Sequence, residues 1–458
     1  MISPRESARL TPLRWIVTLA AFGKTRTGVL ALTTAANLVV RTGSSVLLTR
    51  LLSPVEFGIV GIITSVFVAV AMITDLGFLD FLVRHERSEE RHFRDVIWTI
   101  HAKRGLAIFA GVAATSPLIA WAFGKPIVAL PLAVASLIFV FNGLASLSLM
   151  TALRHDKARE LSLLDLFLQL FQTAACVLLA VWWHNAWSII AAMLLQSGLR
   201  ALLSYRLFPD SAHRVARDPQ IAREFLVFSR VVMISSALAL VIGQSDKIVL
   251  GRVFTLSEFG LYAIALTISS APLAFADSYV NRIVFPICSK TWREVPAELA
   301  DTYYRVRRLP AALYAFASGG LIGSASLVIA LLYDSRYAAA GAFVPLLMIG
   351  TALRLPNSAA AQLMIAVGQV RKTLHLTIVR LVWVVLAIPA GLAFFGSIGV
   401  VAAIGLIEVP AMLYCWLLLR RFHVLDLREE LAFLSLVGAG ALVGWLVGGA
   451  VLNLLPHL

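Results

Sequence analysis

Apolar runs of about 20 residues recur along the chain, separated by short polar or basic stretches. Thirteen such runs lie at about 28–52, 57–84, 105–123, 128–150, 161–183, 186–207, 225–253, 259–288, 310–333, 341–368, 373–395, 398–419 and 431–454. A bilayer core of about 30 Å takes roughly 20 helical residues to cross. Only helices or closed barrels satisfy their backbone inside lipid, and these runs are continuous rather than alternating, so the pattern predicts transmembrane helices. Residues 10–22, with Arg14 and Trp15, are too short and too amphipathic to span and are expected at the membrane interface. The first 27 residues carry five Lys/Arg without a cleavage pattern, which argues against a signal peptide.

Composition agrees. The chain is 60% hydrophobic and 14% charged, against about 25% charged for an ordinary soluble domain. A soluble chain this apolar would aggregate, and disorder needs low hydrophobicity. A net charge of +14 suggests nucleic acid until the basic residues are sorted by side. With the N-terminus inside, inner segments hold most of them: Arg84, Arg87, Arg91, Arg94, Lys103 and Arg104 after the second span, Arg214, Arg217 and Arg223 before the seventh, Lys290, Arg293, Arg305, Arg307 and Arg308 after the eighth. The outer ends hold only Arg50, Lys125, Lys247, Arg252 and Arg336. This asymmetry is the positive-inside rule, so no nucleic-acid partner is expected. Trp121, Trp182, Trp183 and Trp187 cluster at the outer side, as in an interfacial belt. Outer connections are a few residues each. The longer inner ones, about 85–104, 208–224 and 289–309, mix charged and apolar residues and are expected as short amphipathic helices on the inner surface.

The chain repeats itself at an offset of 202 residues. Leu48-Thr49-Arg50 with Glu56-Phe57-Gly58 matches Leu250-Gly251-Arg252 with Glu258-Phe259-Gly260, Ser53 falls on Thr255, and Asp75 falls on Asp277. Ser53-x-x-Glu56 and Thr255-x-x-Glu258 read as capping boxes that start the second helix of each half. Arg50 and Arg252 end the preceding helices, where the macrodipole favours a cation; they are also candidates for contact with a headgroup at the outer mouth. Six spans separate the copies and both begin inside, so the repeats are parallel, an arrangement of transporters. The organisation is therefore a cytoplasmic segment 1–27, a six-helix bundle 28–207, a cytoplasmic linker 208–224, a second six-helix bundle 225–420, and an extra helix with its tail, 421–458. The fold class is an all-α polytopic membrane protein of two pseudo-symmetric six-helix bundles plus one helix.

Charges inside the membrane are costly and mark function or pairing. Arg41 lies near the middle of the first span, Arg282 in the inner half of the eighth, and Arg354 mid-way along the tenth beside Pro356 and Asn357. Asp75 and Asp277 occupy equivalent places, Asp80 stands where the other half has Arg282, Asp246 sits near the outer end of the seventh span, and Glu408 with Pro410 lies mid-way along the twelfth. Structural Asp–Arg pairs between neighbouring helices are one reading. The other takes Arg41, Arg282 and Arg354 as substrate-binding residues, because the guanidinium fork suits phosphate oxygens, and Asp75, Asp277, Asp246 and Glu408 as coupling or gating residues. No nucleophile elbow, Walker loop or dinucleotide motif is present, so no enzyme activity, catalytic residue or cofactor is expected, and coupling falls to H+, Na+ or the membrane potential. Neither the histidines nor Cys176, Cys288 and Cys415 have metal-ligand spacing.

The run LLTRLLSPVEFGIVGIITSVFVAVAMITDLGFLDFLVR from Leu47 to Arg84 resembles the polysaccharide transporters, the Wzx-type oligosaccharide flippases, of the multidrug/oligosaccharidyl-lipid/polysaccharide (MOP) flippase superfamily. Asp246-Lys247-Ile248-Val249-Leu250-Gly251-Arg252 with Glu258-Phe259-Gly260-Leu261-Tyr262 is similar to that family's second-half motif, and Ala366-Val367-Gly368-Gln369-Val370-Arg371 to its turn after the tenth helix. The resemblance covers about residues 28–420. It implies two MATE-like bundles around a cationic cavity in the bacterial cytoplasmic (inner) membrane, and alternating access that moves an undecaprenyl-diphosphate-linked oligosaccharide from inner to outer leaflet for O-antigen, capsule or exopolysaccharide export. It implies membrane lipid, a polymerase and a chain-length regulator as partners. By helix and depth, Arg41 and Arg282 are the best matches to arginines that bind the diphosphate in related lipid II flippases. A drug/ion antiporter of the same superfamily is the alternative, kept open by Asp75, Asp277 and Glu408. A membrane polymerase or ligase would need a large outer loop.

Overall fold

The computed structural model describes residues 26–154, 157–207 and 211–454; the stretch 10–22 and His155 lie outside them. The helices are α1 (Arg26–Leu51), α2 (Pro54–Ile73), α3 (Phe78–Arg84), α4 (Arg91–Ala122), α5 (Ala129–Ala135), α6 (Leu137–Leu144), α7 (Ser148–Arg154), α8 (Ala158–Trp183), α9 (Ala186–Ser204) and α10 (Pro219–Val253). They continue with α11 (Leu256–Tyr279), α12 (Phe285–Glu294), α13 (Leu299–Gly323), α14 (Ala325–Leu332), α15 (Phe343–Ala366), α16 (Val370–Gly405), α17 (Glu408–Arg421) and α18 (Leu427–Leu454). A π turn, Val280–Val284, joins α11 to α12. Each expected apolar run falls on helix.

Among the described residues, nine helical stretches are long and apolar enough to cross a membrane, or up to eleven if each of two sharply bent pairs is one span. One of the nine, Val370–Arg421, is itself a hairpin. Gly396 has φ 63°, and a Cβ on Gly391 or Gly399 would lie 2.5 or 2.1 Å from the other's carbonyl oxygen. In a straight helix residues eight apart are about 12 Å apart. The Trp383 indole N–H also donates to the Ala403 carbonyl at 2.7 Å. The chain therefore reverses between the expected eleventh and twelfth spans.

The chain packs as two compact units. The first holds the described residues up to Leu47, Thr74–Pro117 and Ala129–Ile234. Its core packs Phe78, Phe81, Leu82, Phe93, Val96, Ile97, Leu147, Ile221 and Phe225. The connection at 208–224, expected as an amphipathic helix, instead has no regular secondary structure over 211–218. Side chains take over its backbone bonds: Arg214 N–H donates to Asp95 at 3.1 Å and Ala216 N–H to Thr99 Oγ1 at 3.0 Å. The His213 ring accepts the Leu147 N–H at 3.2 Å, and burial pushes its pKa below the ordinary imidazole value. Asp218 then caps α10, and the Ile221 and Gln220 backbone N–H groups hold its carboxyl below the usual range.

The second unit holds Leu48–Ile73, Leu118–Val128 and Ser235 onward. Two close helix crossings organise it. In the first, α2 and α11 meet at the repeated motif: a Cβ on Gly58 would lie 1.9 Å from the Leu256 carbonyl oxygen, and one on Gly260 would lie 1.9 Å from that of Pro54. Residue 58 maps to 260 and 54 to 256 under the same 202-residue offset, so the contact is reciprocal, as a two-fold axis through the crossing requires. The Thr255–Glu258 capping box is formed, with Glu258 N–H donating to Thr255 Oγ1 at 3.2 Å and Thr255 N–H to Glu258 at 2.8 Å. In the second crossing, α18 lies along α13 through glycines. Cβ atoms on Gly319, Gly323, Gly440 and Gly444 would stand 2.1, 1.9, 2.3 and 2.3 Å from backbone oxygens of the facing helix, the small-xxx-small packing of membrane helices. The helix α18, expected as an addition to the two bundles, is thus an integral part of this unit.

Candidate functional site

Within the second unit, four ionised side chains from four helices converge. Pro410 has no N–H and cannot continue a helix from the preceding turn. Accordingly α16 ends at Gly405 and α17 starts at Glu408 with Pro410 in its first turn. Glu408, expected mid-helix, is therefore at a helix N-terminus, where the dipole favours an anion. Its carboxylate accepts from Arg380 Nη2 at 2.7 Å and Asn357 Nδ2 at 2.7 Å, and the Asn357 amide also reaches the Glu408 carbonyl at 2.9 Å. Glu408 is only 7% exposed.

Arg354 sits one turn before Asn357 on α15. Its Nη1 is 3.4 Å from Glu408 and its Nε 3.3 Å from Asp277 Oδ1. Charge-assisted bonds normally measure about 2.7–2.9 Å, so Arg354 is held more loosely than Glu408's other partners. Asp277 lies in the last turn of α11, just before the π turn, and its Oδ1 also accepts from Ser358 Oγ at 3.4 Å. Its side chain is 45% exposed and that of Arg354 34%. Asp277, Arg354 and Glu408 line a cavity of about 210 Å3 with Ser269, Ser270, Gly350 and Thr351 on its polar side. Leu266, Leu273, Leu347, Ile404 and Ile407 complete the wall. The buried Ser269 hydroxyl has no hydrogen-bond partner among the described residues. Two acids and two arginines balance in charge, and the loosely held pair at the cavity is Arg354 with Asp277, each bonded only at 3.3–3.4 Å. Such a cavity can take an anion without leaving Glu408 unpaired.

The structure brings together Arg354, Asp277 and Glu408 of the residues marked in the sequence. Arg282 stands exposed on the π turn, and Arg41 is exposed on α1 in the first unit. Asp75 lies in the break after α2, where its Oδ1 accepts the Gly77 N–H at 3.0 Å. The break and the π turn fall beside equivalent acids of the repeat, so both second helices deform next to their acid. Asp246 is buried and accepts the Tyr262 hydroxyl at 2.5 Å, with Lys247 at 3.7 Å. Arg50 and Arg252 are exposed near the C-terminal ends of α1 and α10. Arg336 donates to the Arg50 carbonyl at 3.2 Å, and the Arg252 guanidinium covers Gly124. Sequence reasoning misses Arg380, which reads as one more inner-side cation although it lies two turns inside the expected eleventh span. It misses Arg104 in the same way; its guanidinium donates to the Thr74 carbonyl at 2.6 Å and hydroxyl at 2.8 Å.

Comparison with known proteins supplies the family. The chain is 27% identical over 389 residues to the succinoglycan biosynthesis transport protein ExoT of Rhizobium meliloti (strain 1021), covering 82% of this chain and 75% of that protein. The lipid II flippase MurJ in an inward closed conformation superposes with a TM-score of 0.72 at 14% identity, covering 91% of each chain. An inward-facing multidrug resistance MATE family transporter of the MOP superfamily gives 0.61 at 14% identity, over 84% of this chain and 94% of that one. These two share this chain's all-helical, polytopic fold. With residues 47–341 matching its model, the chain belongs to the polysaccharide biosynthesis protein family.

Proposed function

We propose that this protein is a flippase that carries an undecaprenyl-diphosphate-linked oligosaccharide from the inner to the outer leaflet of the bacterial inner membrane, with its N-terminus cytoplasmic. Family membership and the ExoT relative, named for succinoglycan transport, support polysaccharide export. The likeness to a protein named as a lipid II flippase supports a lipid-linked cargo. The observation that carries the reading is Arg354, a cation held by long contacts at the wall of a cavity within the bundle. Phosphate oxygens offer it shorter, charge-assisted bonds. Arg41 and Arg282 are the further diphosphate ligands in this reading, and Arg50 and Arg252 meet the headgroup at the outer mouth. Asp75, Asp277, Asp246 and Glu408 are the candidates for gating or for coupling alternating access to H+, Na+ or the membrane potential. A polymerase and a chain-length regulator would take the product. The alternative is a drug/ion antiporter: Glu408 is already held by two arginines and an asparagine, which leaves the half-exposed Asp277 as the acid that would meet an organic cation in that reading.

The test is transport of lipid-linked oligosaccharide in membrane vesicles by Arg41→Gln, Arg282→Gln and Arg354→Gln variants that keep wild-type elution on size exclusion. Loss of one charge-assisted bond to phosphate predicts a fall of about ten- to a hundredfold for Arg354→Gln, with partial recovery in Arg354→Lys. Full transport by all three variants would sink the proposal.

A further inference from the structure

Arg354 has two anionic neighbours of different character. Glu408 is buried and is compensated without Arg354, by Arg380 and Asn357 at 2.7 Å each. Asp277 is half-exposed, and its contacts to Arg354 and Ser358 are 3.3 and 3.4 Å, both through the same oxygen. Both acids open onto one cavity with Arg354. If the guanidinium moves to a phosphate, Glu408 keeps its partners and Asp277 falls back on water, which its exposure allows. The cost of releasing Arg354 is therefore small and falls on one residue. A carboxylate and a phosphate oxygen are alternative acceptors for one fork of donors, so the two compete.

We propose that Asp277 is an internal stand-in for the substrate's phosphate: it occupies Arg354 in the empty carrier and yields it to an incoming lipid diphosphate. Asp277 thereby sets affinity rather than adding to it. It keeps the guanidinium aimed at the cavity when no substrate is present, and it weakens adventitious anions that cannot outbid a neighbouring carboxylate. It also offers Arg354 a second anionic partner beside Glu408 again when the product leaves, so release does not leave the guanidinium under-compensated inside the membrane, a costly state. Asp277 is a positioning residue here, acting on substrate through Arg354. This inference rests on the reading of Arg354 as a phosphate ligand.

The experiment measures binding of undecaprenyl diphosphate to the full chain in nanodiscs for wild type, Asp277→Asn, Asp277→Glu and Arg354→Gln. Removing the competing charge is expected to tighten binding about tenfold in Asp277→Asn. Asp277→Glu restores the charge and should return affinity toward wild type, while Arg354→Gln weakens binding. Asp277→Ser, too short to reach Arg354, serves as a second competitor-free variant should Asp277→Asn fold poorly. A merely structural Asp277 would lose affinity on substitution and not gain it. Unchanged or weaker binding in both neutral variants, with Arg354→Gln still weakened, overturns the stand-in role and leaves the phosphate reading intact. Full binding by Arg354→Gln overturns both.

Discussion

Glu430→Gln is expected to lower the thermal midpoint of the purified protein sharply. Arg307 on α13 and Glu430 on α18 form an ion pair whose side chains are each only 3% exposed. The rest of the node is built around it. Arg307 Nη1 donates to the Tyr303 hydroxyl at 2.8 Å, and its guanidinium lies 4.9 and 5.0 Å from the Tyr303 and Tyr304 ring centroids. The Tyr304 hydroxyl donates to Glu430 at 3.2 Å and accepts the Asp426 N–H at 3.0 Å. Neutralising one partner leaves the other charge buried, which typically costs about 3–5 kcal/mol. Replacing both by apolar residues of similar volume is often neutral. Arg307→Met with Glu430→Leu should therefore recover most of the midpoint lost by either single change. Unfolding followed by intrinsic fluorescence in detergent reads this directly, and a wild-type midpoint for Glu430→Gln alone would show that water reaches the pair.

Neither residue of that pair stands out in the sequence, and the reason is physical. Arg307 belongs to a basic inner segment and Glu430 precedes the last apolar run, so each reads as solvated. The positive-inside rule sorts cations by side of the membrane and is blind to depth and to partners over a hundred residues away. Arg380 and Arg104 escape for the same reason. What the sequence does carry is one-dimensional: the length of each apolar run, the reversal near Gly396, and Asp75 and Asp277 at equivalent repeat positions. Pro410 signals a disturbance of the twelfth helix, but not that the helix would restart there and turn Glu408 into a first-turn residue. Arg354 stands out because no other charged residue lies between Arg336 and Arg371 along the chain. Its closeness to Asp277 and Glu408, which lie 77 and 54 residues away, depends on which helices pack together, and no local pattern encodes that.

The repeated Glu-Phe-Gly motif shows the same division, and it carries the second large prediction. The motif is legible as a capping signal, and Thr255 with Glu258 forms that cap. Its glycine has another task. Gly58 and Gly260 let α2 and α11 approach until each helix touches the other's first-turn carbonyl, at a distance no Cβ tolerates. Gly260→Val places branched carbon against the Pro54 carbonyl, and the facing atom is backbone, which cannot rotate away. Overpacking of this kind costs about 1–3 kcal/mol and sometimes more. Gly58→Val should act alike, because the contact is reciprocal, and the double variant should cost less than the sum, since the first substitution has already parted the helices. Spin labels on Val55 and Ser257 report the crossing: their separation should lengthen in either single variant while the helix content by circular dichroism stays unchanged. In a carrier that opens by alternating access, parting these helices would also favour the state in which this end is open, so reagents applied from the side on which the motif lies should label Ser269→Cys in the cavity faster in the valine variants. An unchanged spin-label distance with a wild-type thermal midpoint would mean that the crossing is slack, and that the repeat preserves the cap alone.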